Sequence, residues 1–204
     1  MRFVKTTPVP QTGGSCLKSL TGSALLFALF TALLPATSHA HGASVVPHRL
    51  AAIEVRGELP PPKAGVASIK FGEFFRMPIG PHGLEPSEKL LGLNGKPVRL
   101  VGYMVRDETQ GAGHFLFSPL PVSLGDEDES LSDDLPPTAV TVHLQGVGKQ
   151  NIPWVDGLIQ LTGTLEVGAL DEGDGRVSSV RLILDPQLSR RILRAKPIVR
   201  AAAH

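Results

Sequence analysis

Apolar and polar residues alternate along several short runs of the chain. The clearest run is 97–105, in which Val98, Leu100 and Met104 fall on one face while Arg99 and Tyr103 fall on the other. A period of two is the pattern of a β-strand with one buried face. The same reasoning predicts five strands, at residues 97–105, 114–117, 138–144, 158–167 and 177–184.

These strands predict an all-β fold, and more closely a small five-stranded OB-like barrel with a short C-terminal helix at residues 186–193. Gly163 lies inside the fourth strand, where glycine indicates a bend or a close backbone approach. Asp174 and Gly175 predict the hairpin turn that joins the fourth strand to the fifth. Closure into a barrel removes the free edges that short strands otherwise expose. A β-sandwich of the same strands is the alternative.

The residues on either side of these strands divide the rest of the chain. Residues 41–65 form a lead-in with one predicted strand at 50–55, which ends before the three prolines at 60–62. A barrel-like domain covers 66–186 and includes the aromatic cluster Phe71, Phe74 and Phe75, and residues 187–204 form a basic tail. Ser87 is expected to cap a short helical turn that runs through Leu91, because its hydroxyl can accept an unpaired amide.

The first 40 residues have the pattern of a signal peptide. Arg2, Lys5 and Lys18 make the start positive, and the 15 residues 20–34 are almost entirely apolar. A spanning helix needs about 20 such residues, so this run fits the core of a cleavable leader. We therefore expect export to the periplasm with cleavage after Ala40, which leaves no stable membrane span. A retained N-terminal anchor is the alternative.

Composition limits the chemistry that the exported part can perform. Cys16, the one cysteine, lies in the leader, which excludes disulfides, thiolate metal sites and cysteine nucleophiles after cleavage. The leader holds three of the 20 basic residues and none of the 19 acidic ones, so the exported part has a net charge of about −2. No basic excess points to a nucleic acid. The charge is uneven, with six acids in 126–134 and five bases in 190–200.

Histidines are the candidate metal ligands, because neutral imidazole is a common ligand of copper and zinc. If cleavage exposes His41, its amine and imidazole could chelate Cu(II), and His48 could complete the set. His114 and His143 form a second candidate, because they would meet on the outer face if their strands pair in register. The alternative is that all four are ordinary solvated residues and that no cofactor binds.

The chain contains no recognisable catalytic motif. No serine has a G-x-S-x-G setting, and neither Gly-rich stretch is followed by the G-K-[ST] of a phosphate loop. We therefore expect a non-enzymatic accessory or binding domain that contacts a periplasmic or envelope protein partner. A periplasmic copper- or zinc-binding or metal-delivery protein is the alternative, and the sequence leaves the oligomeric state open.

Parts of the chain resemble a family of uncharacterised exported bacterial proteins whose domain has no established function. The resemblance lies in residues 93–98 (LNGKPV), 102–105 (GYMV), 115–117 (FLF), the prolines 136–137 and residues 155–163. That family shares an opening of the form LdGk-V-x-i-x-G-[FY]-M-V. Its members commonly carry Cys or His between the second strand and the proline pair, whereas residues 118–135 contain serines and acids here. The resemblance therefore implies an OB-like domain without the family's Cys/His position.

Overall fold

A computed structural model describes residues 46–107, 113–125, 135–148 and 150–198 of the chain. The chain divides into two units, Met1–Ala40 and His41–His204, and all described residues belong to the second. Its elements, in chain order, are β1 (His48–Arg49), β2 (Ala67–Ser68), a 3₁₀ turn (Phe71–Glu73), α1 (Glu88–Gly92), β3 (Pro97–Met104), β4 (Arg106–Asp107), β5 (His114–Ser118), β6 (Ser123–Leu124), β7 (Val140–Leu144), β8 (Leu158–Asp171), β9 (Val177–Leu184), α2 (Pro186–Leu193) and β10 (Lys196–Pro197).

Five of these strands pair in a closed ring. β3 is antiparallel to both β5 and β8, β5 is antiparallel to β7, β7 is parallel to β9, and β9 is antiparallel to β8. The order β3-β5-β7-β9-β8 therefore returns to β3 within a single sheet. The predicted all-β fold is confirmed, and its strands form one closed sheet rather than the two packed sheets of a sandwich.

The core lies inside this ring, because the inward positions of the strands are apolar. Val98 and Leu100 of β3, Phe117 of β5 and Leu182 of β9 are at most 1% exposed. The inward position of β3 at Gly102 has no side chain, and the ring of Phe71 occupies that space. A Cβ atom at Gly102 would lie 2.5 Å from the Ser118 carbonyl oxygen and 2.8 Å from the Phe71 ring.

The predicted close approach at Gly163 is also confirmed. A Cβ atom at this position of β8 would lie 2.5 Å from the carbonyl oxygen of Ile183 in β9. On the other side of β8, Gly163 pairs with Val98 of β3. The two neighbouring strands thus confine this residue from both sides, which only glycine permits.

The short helices begin as the sequence predicts. The Ser87 hydroxyl accepts the Leu90 amide at 3.1 Å and donates to the Glu73 carbonyl at 2.6 Å, so it caps α1 and fixes it to the 3₁₀ turn. Asp185 caps α2 by accepting the amides of Gln187 and Leu188. In the described ranges, no helix is long and apolar enough to cross a membrane.

The strand predicted at residues 50–55 is wrong over most of its length, and only its end pairs with β8, where Glu54 forms a single antiparallel bridge with Ile159. Residues 51–53 form a turn, because the Leu50 carbonyl accepts the amides of both Ile53 and Glu54. The regular strand of the lead-in lies earlier, at β1, which pairs with β10 near the other end of the described chain. The apolar Ile53 is buried, as a strand residue would be, but the turn places it there.

Candidate functional site

The hairpin of β8 and β9 extends beyond the closed ring of strands. β8 pairs with β3 only as far as Thr164, whereas it pairs with β9 as far as Asp171. One extra residue lies in β8 between Val167 and Leu170, where Gly168 has a φ of 138°. Such a bulge bends a strand and increases its twist. The end of the hairpin lies against the outer face of β5 and β7.

Arg181 of β9 stabilises this bulge through hydrogen bonds of its side chain. Its Nη1 donates to the Gly168 carbonyl at 2.6 Å and to the Ser178 hydroxyl at 3.1 Å. Its Nε lies 3.3 Å from a carboxylate oxygen of Glu166. Arg181 is only 7% exposed. The Gly168 carbonyl at the bulge therefore accepts a hydrogen bond from a buried charged side chain.

Two histidine–carboxylate pairs join the hairpin to the barrel. His114 of β5 and His143 of β7 are direct cross-strand partners, and their ring centroids are 5.5 Å apart. The Nε2 atom of His143 lies 3.0 Å from a Glu172 carboxylate oxygen, and that of His114 lies 3.2 Å from an Asp174 oxygen. Both carboxylates come from the turn of the hairpin, so the two strands of the barrel and the turn meet at one place.

A third contact is an ion pair between the hairpin and β4. Arg176 donates through Nη1 to Asp107 at 2.7 Å, and the Asp107 side chain is 2% exposed. We use the name hairpin clasp for the three contacts His114–Asp174, His143–Glu172 and Arg176–Asp107. Three partly buried polar contacts therefore join the turn of the hairpin to β4, β5 and β7.

Two opposing effects, burial and the contacts of the hairpin clasp, determine the pKa of Asp174. Burial raises the pKa of this carboxyl, but the hydrogen bonds with the Arg176 amide and with His114, together with the electrostatic attraction of Arg176, outweigh it. The net effect is a pKa below the ordinary value of 3.8. The group therefore stabilises the ionised form of Asp174, as expected of a carboxylate that accepts hydrogen bonds beside cations.

A cavity of about 520 Å³ lies between the hairpin, the outer face of β5 and β7, and residues 135–139. Its apolar lining includes Leu116, Pro136 and Val177, and its polar lining includes Thr141 and Ser179. His114, Glu172 and Arg176 of the hairpin clasp also reach it. The cavity thus combines apolar surface with hydroxyl and charged groups at one side. We call it the hairpin cleft.

The structure brings together one of the two predicted histidine sets. His114 and His143 are in register, which is the condition on which their meeting depended, but His114 is 8% exposed beneath the hairpin rather than solvated. His48 lies in β1, on a separate two-stranded sheet, with its Nδ1 2.8 Å from the Val46 carbonyl oxygen. His41 and the acidic run at 126–134 lie outside the described residues. Within the part of the chain that is described, no three His, Cys, Asp or Glu side chains form a group that could hold a metal ion.

Sequence reasoning missed the carboxylates and the arginine of the hairpin clasp. It used Asp174 only as part of a turn, and it assigned no role to Asp107, Glu172 or Arg176. The available signal was the concentration of charge in residues 171–176, between two strands that are otherwise mostly uncharged. By contrast, the basic residues Arg190, Arg191, Arg194 and Lys196 are exposed at the end of the fold, and Arg200 lies outside the described residues.

Comparisons with known proteins give one similar solved structure. No family model matches the chain, and no curated protein matches it. The structure of a DUF3299 family protein from Pseudomonas aeruginosa is similar over 66% of this chain and 97% of that one, with a TM-score of 0.35 and 12% sequence identity. A similarity at this level is to a domain family of uncharacterised function. The assignment of the fold rests on the strand pairings of this chain alone.

Proposed function

We propose that this protein is an exported, non-enzymatic binding domain that accepts an extended segment of a periplasmic or envelope protein in the hairpin cleft. The single observation that carries the proposal is the position of the cleft. It lies on the outer face of β5 and β7, the second and third strands of the closed ring, beside the loop between the fourth and fifth. Barrels of this type use that face and that loop for ligands.

The lining of the cleft favours a peptide segment with apolar side chains. Leu116 and Pro136 offer surface for apolar groups, while Thr141 and Ser179 offer hydroxyls to the polar backbone of such a segment. A volume of about 520 Å³ is within the range of ordinary ligand sites. The near-neutral charge of the exported part gives no attraction for nucleic acid.

Site-specific photocrosslinking tests the proposal. A photoreactive residue replaces Val177, which lines the cleft and is 67% exposed, and in a control it replaces Leu91, which is 51% exposed and does not line the cleft. We expect an adduct with an envelope protein from Val177 and none from Leu91. The further substitution Ser179→Trp, which fills the cleft, should remove the Val177 adduct. Adducts from both positions, or an adduct that survives Ser179→Trp, would count against the proposal.

The second candidate function is the binding of copper or zinc, and the observation that favours it is the His114–His143 pair. The two Nε2 atoms lie 3.0–3.2 Å from carboxylate oxygens, so imidazole and carboxylate donors already face one another. A metal bound here would replace these pairs with bonds to the ion, which would require the hairpin to shift. Zinc accepts both donor types.

Calorimetric titration with Zn²⁺ and with Cu²⁺ distinguishes the possible metal sites. If the hairpin histidines bind, His143→Gln removes the binding heat and His48→Gln leaves it unchanged. If the N-terminal set binds Cu²⁺, the substitutions His41→Gln and His48→Gln reduce the heat and His143→Gln does not. The absence of heat with the unmodified protein would refute both metal sites and would leave the peptide proposal unaffected.

A further inference from the structure

A second cavity, of about 350 Å³, lies between the outer face of β3 and β8, the prolines 60–62 and α2. It shares no lining residue with the hairpin cleft. Three cationic side chains converge on it from different parts of the chain, namely Lys63 after the prolines, Arg99 of β3 and Arg191 of α2. We call this cavity the basic groove.

The central residue of the basic groove is a buried arginine that has no counter-charge among the described residues. Arg99 is 8% exposed, and its guanidinium donates to the Ser68 hydroxyl and to the Pro60 carbonyl, both of which are neutral. In the described segments, no carboxylate lies within ion-pair distance of Arg99. A buried charge is costly unless an opposite charge accompanies it. An anion in the groove would supply that charge.

The other two cations also lack an ion-pair partner in the part of the chain that the structure describes. Lys63 and Arg191 are exposed, and neither forms an ion pair with any residue that the structure describes. The one carboxylate in the lining is Asp185, whose Oδ1 accepts two amides at the start of α2. Three cations and one carboxylate leave an excess of two positive charges, which matches a phosphate monoester of charge about −1.5 to −2 at neutral pH.

The neutral part of the lining is suited to the same ligand. Thr162, the cross-strand partner of Arg99, presents a hydroxyl, and Gln160 presents an amide two residues earlier on the same face of β8. Arg99 is held in place by its bonds to Ser68 and Pro60, so its planar guanidinium has a fixed orientation. Arginine binds phosphate oxygens with two parallel hydrogen bonds, while lysine contributes a point charge.

We propose that the basic groove binds a phosphate monoester, with Arg99 as the fixed donor at its base and Lys63 and Arg191 at its rim. The phosphate belongs either to a small soluble ester or to the headgroup of a lipid. Because no residue is shared with the hairpin cleft, this site can be present whether or not the cleft binds a peptide.

Calorimetry at about 0.15 M ionic strength, where the screening length is about 8 Å, tests the site with phenyl phosphate as the probe. Arg191→Gln removes one cation at the rim. We expect the dissociation constant of phenyl phosphate for this variant to rise about tenfold or more, as for loss of a charged hydrogen bond. The matched control is Arg190→Gln, which removes the same charge from the adjacent exposed position of α2, outside the groove. It should change the constant by less than about twofold, because an exposed charge at a distance is screened. Equal effects of the two substitutions, or no saturable binding at millimolar ester, would refute the site.

The variants Lys63→Gln and Arg99→Lys extend the test. Each should weaken binding, and thermal melting without ligand shows whether the variant is folded. Phenyl phosphate should raise the melting temperature of the unmodified protein and of Arg190→Gln, but much less that of Lys63→Gln. An equal rise in all variants would show binding elsewhere and would refute the assignment.

Vesicles separate the two sources of phosphate. Phosphatidic acid carries a phosphate monoester, so we compare phosphatidylcholine vesicles with and without it. Binding that depends on phosphatidic acid, is lost in Arg191→Gln and is competed by phenyl phosphate supports a lipid headgroup. Binding of phenyl phosphate without vesicle binding supports a soluble ester. Vesicle binding that Arg190→Gln and Arg191→Gln reduce equally would indicate attraction to the basic surface as a whole and would refute the groove.

Discussion

The substitution Gly163→Ala tests whether the strand ring is closed as the pairings indicate. The new Cβ atom would lie 2.5 Å from the Ile183 carbonyl oxygen, and ordinary contact begins at 3.4 Å, so β8 and β9 must separate by about 0.9 Å. In an open sheet β8 could move away from β9. Here Val98 of β3 pairs with Gly163 on the other side, so the movement would compress a second interface.

The expected cost follows from these contacts. Overpacking typically destabilises a protein by about 1–3 kcal/mol, and each strained ladder hydrogen bond adds up to about 1 kcal/mol. We expect Gly163→Ala to lower the free energy of unfolding by about 2–4 kcal/mol, and a loss of that size lowers the melting temperature by roughly 4–16 °C for a domain of this length. Urea unfolding followed by the fluorescence of Trp154, the one tryptophan, measures it.

The matched control is Gly92→Ala. Gly92 lies in α1, where an added Cβ atom meets nothing within 4 Å. The same chemical change should therefore be neutral or stabilise by up to about 1 kcal/mol, because alanine favours helix more than glycine. A Gly163→Ala protein within about 0.5 kcal/mol of the unmodified one, which is the ordinary effect of a surface change, would refute the close approach and the closed ring.

Three further predictions follow from other parts of the fold. Asp174→Asn should lower the free energy of unfolding at neutral pH, and by less as the pH falls below 3.8, because a carboxylate whose folded pKa is lowered stabilises the protein only while it is ionised. Urea unfolding across pH measures this effect, with Asp171→Asn as the control on the same hairpin. An equal loss at all pH values would contradict the prediction. Ser87→Ala should cost about 1 kcal/mol through loss of the α1 cap, whereas the exposed Ser179→Ala should cost almost nothing. Phe117→Ala should cost about 3–5 kcal/mol, because the ring is fully buried in the barrel, and a smaller loss in urea unfolding would contradict that packing.

The elements that sequence predicted best are those whose signals are local. β9 and α2 have the predicted bounds, because alternation and a turn signal mark the start of the strand and a proline marks the start of the helix. The meeting of His114 and His143 followed from pairing two consecutive strands. The pattern at 50–55 was misleading over most of its length, because a turn places Ile53 in the core and only Glu54 forms a β-bridge.

The parts that sequence could not predict depend on tertiary geometry. Whether Glu172 and Asp174 reach the histidines depends on the curvature of the β8–β9 hairpin, which one bulge residue near Gly168 modifies. The alternation of β3 placed Arg99 on the outer face, but not beneath the segment at Pro60, which is 39 residues away in the chain. Such burial by a distant segment leaves no mark in the local pattern, so the basic groove became visible only in the fold.

The pairing of β1 with β10 has a mechanical consequence. His48 lies opposite Pro197, and the Ile198 amide donates to the Pro47 carbonyl at 2.8 Å, so the two ends of the described chain leave from adjacent points. A force that pulls these ends apart acts first on this two-residue ladder and opens it one hydrogen bond at a time. The closed ring would not carry load until the ladder had opened. If the protein is held at both ends, opening of the β1–β10 ladder lengthens it while the hairpin cleft and the basic groove keep their shape.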